Sequence, residues 1–181
     1  MKKICGVILA LVILVCASLL CVKPYEKTIV YPEKYAGIIE QYSGEYGIDK
    51  NLMFALVCTE SGFDKDAVSD AGAIGLTQIT EETYDWIKWK LGEEGRFEDL
   101  FNPETSVRYG AYLMSFLLDD FGDYRTAAAA YHAGRAKVHS WLADGEYSSD
   151  GKTLDVIPSK DTAHYVAKIT KAYEKYKTLY Q

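Results

Sequence analysis

Asp49-Lys50-Asn51-Leu52-Met53-Phe54-Ala55-Leu56-Val57-Cys58-Thr59-Glu60-Ser61-Gly62 is the stretch on which the fold turns. Asp49 is a residue type that caps helix N-termini, Gly62 one that ends helices, and the side chains between are nearly all apolar. A helix apolar on most of its sides must be covered on most of them. What flanks it is also helical in period. Tyr35, Ile39, Tyr42 and Tyr46 are spaced four, three and four apart, giving one face of a preceding helix. Thr80 can cap a helix through Trp86 and Trp89. Asn102-Pro103 is a cap followed by proline at the first helical position, opening a helix that carries Val107, Leu113, Met114, Leu117 and Phe121. Arg125 to Ala133 is an alanine-rich segment closed by Gly134; Val138, Trp141 and Leu142 mark a short helix. From about Lys160 a last amphipathic helix aligns Tyr165, Ile169, Ala172, Tyr173 and Tyr176. Strand-like alternation is confined to the region around Tyr147 to Ile157. The reading is an all-α or nearly all-α single domain, with room for a small hairpin.

The first 23 of the 181 residues hold Lys2, Lys3 and Lys23 and no acid, so the formal charge of -6 becomes -9 over residues 24–181. Ile4 to Val22 is uncharged for nineteen residues, about 28 Å as a helix and close to the hydrocarbon thickness of a bilayer. A cleaved signal peptide is the rival, but Ala17-Ser18-Leu19-Leu20-Cys21-Val22 makes a poor small-x-small cleavage site, and Leu20 weakens Cys21 as a lipid-attachment site. The favoured expectation is one transmembrane anchor over residues 1–23, a tether over 24–32 bounded by Pro24 and Pro32, and a domain over 33–181 on the extracytoplasmic face. Secretion after signal cleavage is the alternative.

Composition removes several function classes. An acidic balance, with 26 Asp and Glu against 20 Lys and Arg, argues against nucleic acid, whose phosphates call for clustered cations. Hydrophobic residues make up 49% of the chain, far from the composition of a disordered segment. Cys58 is alone in the domain and cannot close an intramolecular disulfide. Cys58, His132, His139 and His164 lack zinc-ligand spacing, so neither metal nor cofactor is expected.

Among the carboxylates Glu60 is set apart. It stands at the end of the apolar helix, where burial and the partial negative charge of the helix C-terminus both oppose ionisation. A carboxyl group with a raised pKa can donate a proton near neutrality. A Glu that escapes to water past Gly62 is the plain alternative, and this pattern alone does not choose. Gly72-Ala73-Ile74-Gly75-Leu76-Thr77-Gln78-Ile79 adds glycines that let backbone approach a ligand closely. Ala128-Ala129-Ala130-Tyr131-His132-Ala133-Gly134 ends a slim helix with Tyr and His.

Glu60-Ser61-Gly62-Phe63, Ala67-Val68-Ser69, Gly72 to Ile79 and Ala130 to Gly134, in that order, resemble the successive motifs of the soluble lytic transglycosylase (SLT-type, lysozyme-like) family. The likeness runs from about Tyr35 to Tyr173 and takes in Asn102-Pro103, Gly110, Leu113 and the Ile157-Pro158, Thr162 and Tyr165-Val166 segment. Thr77, Glu81, His132 and Asp161 depart from the residues usual in the family. The resemblance implies a lysozyme-like fold with a central glycan cleft, and cleavage of the β-1,4 bond between N-acetylmuramic acid and N-acetylglucosamine in peptidoglycan. Glu60 is implied as the sole catalytic acid and base, and Ser69, Thr77, Gln78, Tyr131, His132 and Tyr165 as substrate-binding or cleft residues. Ser69 is implied to orient Glu60 or the substrate's acetamido group. His132 either bonds near the cleft or only supports the helix end, the second being favoured. Of Trp86, Trp89 and Trp141, at least two are expected in the core. Expected partners are glycan strands, the membrane through the anchor, and cell-wall or secretion machinery, for a monomeric domain. The rival functions are a goose-type muramidase, which needs a second carboxylate such as Asp64, Asp66, Asp70 or Asp85, and an idle glycan-binding scaffold.

Overall fold

Among the described residues seven α-helices build the domain, and local sequence explains where most of them start. The computed structural model describes residue 22 and residues 24–180. The helices are α1 (Ala36–Glu45), α2 (Lys50–Glu60), α3 (Glu81–Leu91), α4 (Pro103–Phe121), α5 (Tyr124–Ala133), α6 (Arg135–Leu142) and α7 (Lys160–Leu179). Side chains of Asp49, Thr80, Asn102, Asp123 and Ser159 accept backbone N–H bonds at the starts of α2, α3, α4, α5 and α7. Each satisfies a donor that has no partner within its own helix. A 3-10 turn at Phe97–Phe101 leads into α4.

The helix α2 is the hub. Leu52 to Val57 are all buried, as an apolar circumference requires. It packs on α7 and α1, while α5 packs on α4, α6 and α7. The alanines from Ala127 to Ala130 are buried and let α5 lie close to its neighbours. A smaller apolar cluster of Ile74, Ile79, Tyr84, Ile87, Leu100 and Tyr109 joins α3 and the glycine-bearing loop to α4.

One expectation needs correcting. Residues 147–157 form turns, not a hairpin, and among the described residues the only β pairing is two isolated bridges, Val68 with Ile74 and Ile74 with Ile79. The Asp150 carboxylate accepts from the backbone N–H groups of Lys152 and Thr153 at 2.7 and 2.8 Å, which closes a local turn where alternation pointed to a strand. Of the tryptophans, Trp141 is buried and Trp86 packs half-buried against the smaller apolar cluster, so two of the three join the core as expected, while Trp89 is 72% exposed on the outer face of α3.

The expected anchor, residues 1–23, lies outside the described residues except for Val22. Among the described residues no helix is long and apolar enough to cross a membrane. The segment expected as a tether is packed onto the domain. Glu26–Val30 forms a wide helical turn, Tyr31 is buried, and Tyr176 and Tyr180 on and just beyond α7 donate to the carbonyls of Pro32 and Tyr31 at 3.0 and 2.8 Å.

Candidate active site

Glu60 is the last residue of α2, and three structural pieces converge on it. The first is α7, which lies along α2. Tyr165 Oη donates to Glu60 Oε1 at 2.6 Å, and one turn later Lys168 Nζ donates to the Thr59 carbonyl at 2.9 Å. A cation there complements the negative end of α2. Burial of the Glu60 carboxyl raises its pKa to about 7, and the Tyr165 hydrogen bond and the Lys168 charge oppose that rise without cancelling it. An apolar helix thus delivers its terminal carboxyl to a place that disfavours charge. No second carboxylate appears among the groups that shift Glu60. Asp64, Asp66, Asp70 and Asp85 are exposed; Asp66 pairs with Lys65 and Asp85 with Lys88.

The second piece is the loop from Ser61 to Ile79. Ser61 Oγ lies 2.9 Å from the Leu76 carbonyl and 3.2 Å from the Val57 carbonyl, so its single proton ties the end of α2 to the loop or to its own last turn. Gly75 has φ +77°, and a Cβ there would come within 2.2 Å of the Leu100 carbonyl oxygen, so only glycine fits. Gln78, at φ 50°, donates both amide protons within the loop, to the Ala67 and Gly75 carbonyls at 3.1 and 2.9 Å. Its Oε1 is left to accept. Ser69 Oγ accepts from the Ala73 N–H at 3.0 Å, which closes the turn at Gly72. No direct hydrogen bond joins Ser69 to Glu60 among the described residues.

The third piece is the end of α5. Tyr131 Oη donates to the Thr77 carbonyl at 2.8 Å, bridging α5 to the loop. Burial and the Glu60 charge keep the phenols of Tyr131 and Tyr165 well above their ordinary pKa, so both stay protonated donors. His132 lies over Tyr165, ring centroids 4.6 Å apart, with Nδ1 3.2 Å from Thr162 Oγ1. Burial lowers the His132 pKa, against an opposing pull from Asp161. The exposed imidazole thus lies against the buried Tyr165 ring.

Thr77 departs from its expected role. Its side chain is fully buried, with Oγ1 donating to the Ser106 carbonyl at 2.8 Å, and its backbone N–H donates to Ser106 Oγ at 3.1 Å. A Cβ on Gly110 would meet Thr77 Cγ2 at 2.5 Å. The side chain therefore locks the loop to α4, and only the carbonyl faces Tyr131. Phe63 and Tyr84 lie in the core, against Phe54 and Tyr109.

Tyr131 also lines a groove of about 550 Å³ with Glu82, Trp86, Lys90, Phe116 and Arg135. Glu60 does not line it; Tyr131 is the residue shared by the groove and the surroundings of Glu60. Ser61 and Phe116 were not marked as site residues by sequence pattern. Ser61 had one usable signal, its place beside Glu60 in the first motif.

The arrangement is a carboxyl whose pKa is raised to about 7, held by a phenol, with an aromatic-lined groove reached through Tyr131. The transglycosylase SLT domain model matches residues 37–153. The soluble lytic murein transglycosylase of Escherichia coli (strain K12) is 27% identical over 150 residues, covering 81% of this chain and 23% of its own length. Membrane-bound lytic murein transglycosylase C of Glaesserella parasuis serovar 5 (strain SH0165) is 26% identical over 173 residues, covering 83% of this chain and 48% of its own. Among solved structures, an inactive mutant of the lytic transglycosylase Slt from Pseudomonas aeruginosa superposes with a TM-score of 0.72 at 28% identity, over 83% of this chain and 25% of that one. The 70-kDa soluble lytic transglycosylase of Escherichia coli gives 0.70 at 26% identity, over 81% and 24%. The chain thus spans about a quarter of the soluble relatives and about half of the membrane-bound one.

Proposed function

Because the chain belongs to the transglycosylase SLT domain family, we propose that it is a peptidoglycan lytic transglycosylase in which Glu60 is the only acid and base. The observation that carries this reading is the pairing of one carboxyl, raised to about 7, with Tyr165, and no second carboxylate acting on it among the described residues. Ordinary glycosidases use two carboxylates, and substrate-assisted enzymes are the recognised exception.

In the proposed reaction, protonated Glu60 gives its proton to the glycosidic oxygen as the bond to muramoyl C1 breaks, with the substrate's acetamido group assisting departure. The Glu60 carboxylate so formed accepts a hydrogen bond from Tyr165, which eases its brief ionisation. It then takes the proton of the muramoyl C6 hydroxyl while that oxygen attacks C1 and closes the 1,6-anhydro ring. Glu60 returns to its starting protonation state, and no water enters. Gln78 Oε1 and Tyr131 are assigned to sugar contacts, and the Trp86 and Phe116 groove to the continuing strand. Ser69, Thr77 and His132 are positioning residues that hold the loop and Tyr165. The substrate is glycan strands, met from the membrane side through an anchor in residues 1–23 and the domain over 33–181.

A goose-type muramidase fits less well, because the exposed acids Asp64, Asp66, Asp70 and Asp85 act on other partners or none. The test is Glu60→Gln in the full chain. Release of soluble muropeptides from purified peptidoglycan is expected to fall by about three orders of magnitude or more, while sedimentation with peptidoglycan persists. Substantial residual release contradicts the role given to Glu60.

A further inference from the structure

The large hydrophobic side chains left exposed are unevenly placed. Val22, Tyr25, Ile29 and Val30 are 49, 60, 63 and 40% exposed, and Val22, Tyr25 and Ile29 follow the three-then-four spacing of one helical face. The segment that carries them is clasped to the domain at several points. Glu26 pairs with Lys175 at 2.5 Å, Tyr180 Oη lies 3.0 Å from the Lys27 carbonyl and 2.8 Å from the Tyr31 carbonyl, and the Lys27 ammonium sits 4.7 Å from the Tyr180 ring centroid. The Tyr31 and Tyr176 rings meet edge to face at 5.7 Å. Residues 24–32 are thus a strap, and their exposed apolar face is fixed to the end of α7.

Charge at this end runs against the rest of the molecule. The second half of α7 carries Lys171, Lys175 and Lys177 against Glu174, whereas residues 24–181 together are at -9. Exposed apolar side chains with Lys27 and Lys175 held beside them, on a segment that continues directly from the uncharged run of residues 4–22, match the chemistry of an anionic lipid surface.

We propose that the strap face of Tyr25, Ile29 and Val30 rests in the headgroup region of the bilayer, with the lysines of the second half of α7 toward anionic lipid. The helix α7 then couples membrane to chemistry, because Tyr165 near its start holds Glu60 and Tyr180 at its end holds the strap. These two residues are about 22 Å apart along the helix axis. The active site is carried at a set height and tilt, not on a free leash. This rests on the anchor reading in the proposed function.

The test places a photo-crosslinking benzoylphenylalanine at position 29 of the full chain, reconstituted in vesicles of phosphatidylcholine and phosphatidylglycerol. The same group at position 89, on the exposed face of α3, is the comparison. Lipid adducts at position 29 are expected to exceed those at position 89 roughly ten-fold and to fall when phosphatidylglycerol is omitted. Flotation of the chain with the vesicles is scored separately. A chain that does not float defeats the anchor reading and this proposal with it. A chain that floats, yet gives equal labelling at both positions or adducts only to protein, leaves the anchor standing and overturns the docked face.

Discussion

Tyr165 and Glu60, 105 positions apart in the chain, share a hydrogen bond of 2.6 Å between Tyr165 Oη and Glu60 Oε1. Through it α7 reaches the carboxyl that ends α2. Burial raises that carboxyl to about 7, and the hydrogen bond limits the rise.

The pH dependence follows from that balance. In the proposed reaction only protonated Glu60 can begin the chemistry, so kcat/KM is expected to be level at low pH and to fall about tenfold per unit above roughly pH 7. Stability follows the same proton. The folded pKa lies above the unfolded one, so the folded state holds more protons between the two values and stability declines as pH rises from about 4.5 through 7. Glu60→Gln removes that decline. Thermal unfolding is expected to show the variant gaining about 2–3 kcal/mol over the parent at pH 8 and little at pH 4; an equal gain at both pH values contradicts the assigned shift.

Tyr165→Phe removes a donor that favours the charged form, so the Glu60 pKa must rise further. The alkaline limb is expected to move to higher pH, and kcat to drop by about 10–100-fold because the carboxylate formed in the first step loses its partner. A pH–rate profile with an unmoved limb shows that the bond does not tune Glu60.

His132 touches Tyr165 but is not among the groups that shift Glu60. His132→Asn is therefore expected to keep kcat within about threefold and to leave the alkaline limb in place. A shifted limb gives the imidazole an electrostatic role that its position against the Tyr165 ring does not predict.

Two glycines in the loop separate conformational from steric cost. Gly72 and Gly75 share a positive φ, but only Gly75 would drive a Cβ into the Leu100 carbonyl. Gly72→Ala is expected to cost about 1 kcal/mol and Gly75→Ala about 3 kcal/mol or more, read from denaturant unfolding. Equal costs contradict the close approach of the loop to Leu100.

What was legible in the sequence was what is decided locally. The caps at Asp49, Thr80 and Asn102 and the apolar circumference of α2 depend on neighbours a few residues away, and they located the helices and pointed to Glu60. The direction of the Thr77 side chain was not legible, because Ser106 and the gap at Gly110 lie about thirty residues downstream and only packing brings them close. The docking of residues 24–32 was hidden for the same reason. Two prolines read as a tether, and the tyrosines that clasp it stand near the other end of the chain. Tyr165 was reachable only through family resemblance, since nothing near it in sequence refers to Glu60.

In the proposed reaction one carboxyl manages both proton transfers and the muramoyl C6 hydroxyl takes the place of water. Mass spectrometry of the products released from purified peptidoglycan by the full chain tests it most directly. The account predicts muropeptides ending in 1,6-anhydromuramic acid. Products with ordinary reducing ends, one water heavier, would show hydrolysis, and no products at all would show a binding domain; either result contradicts it.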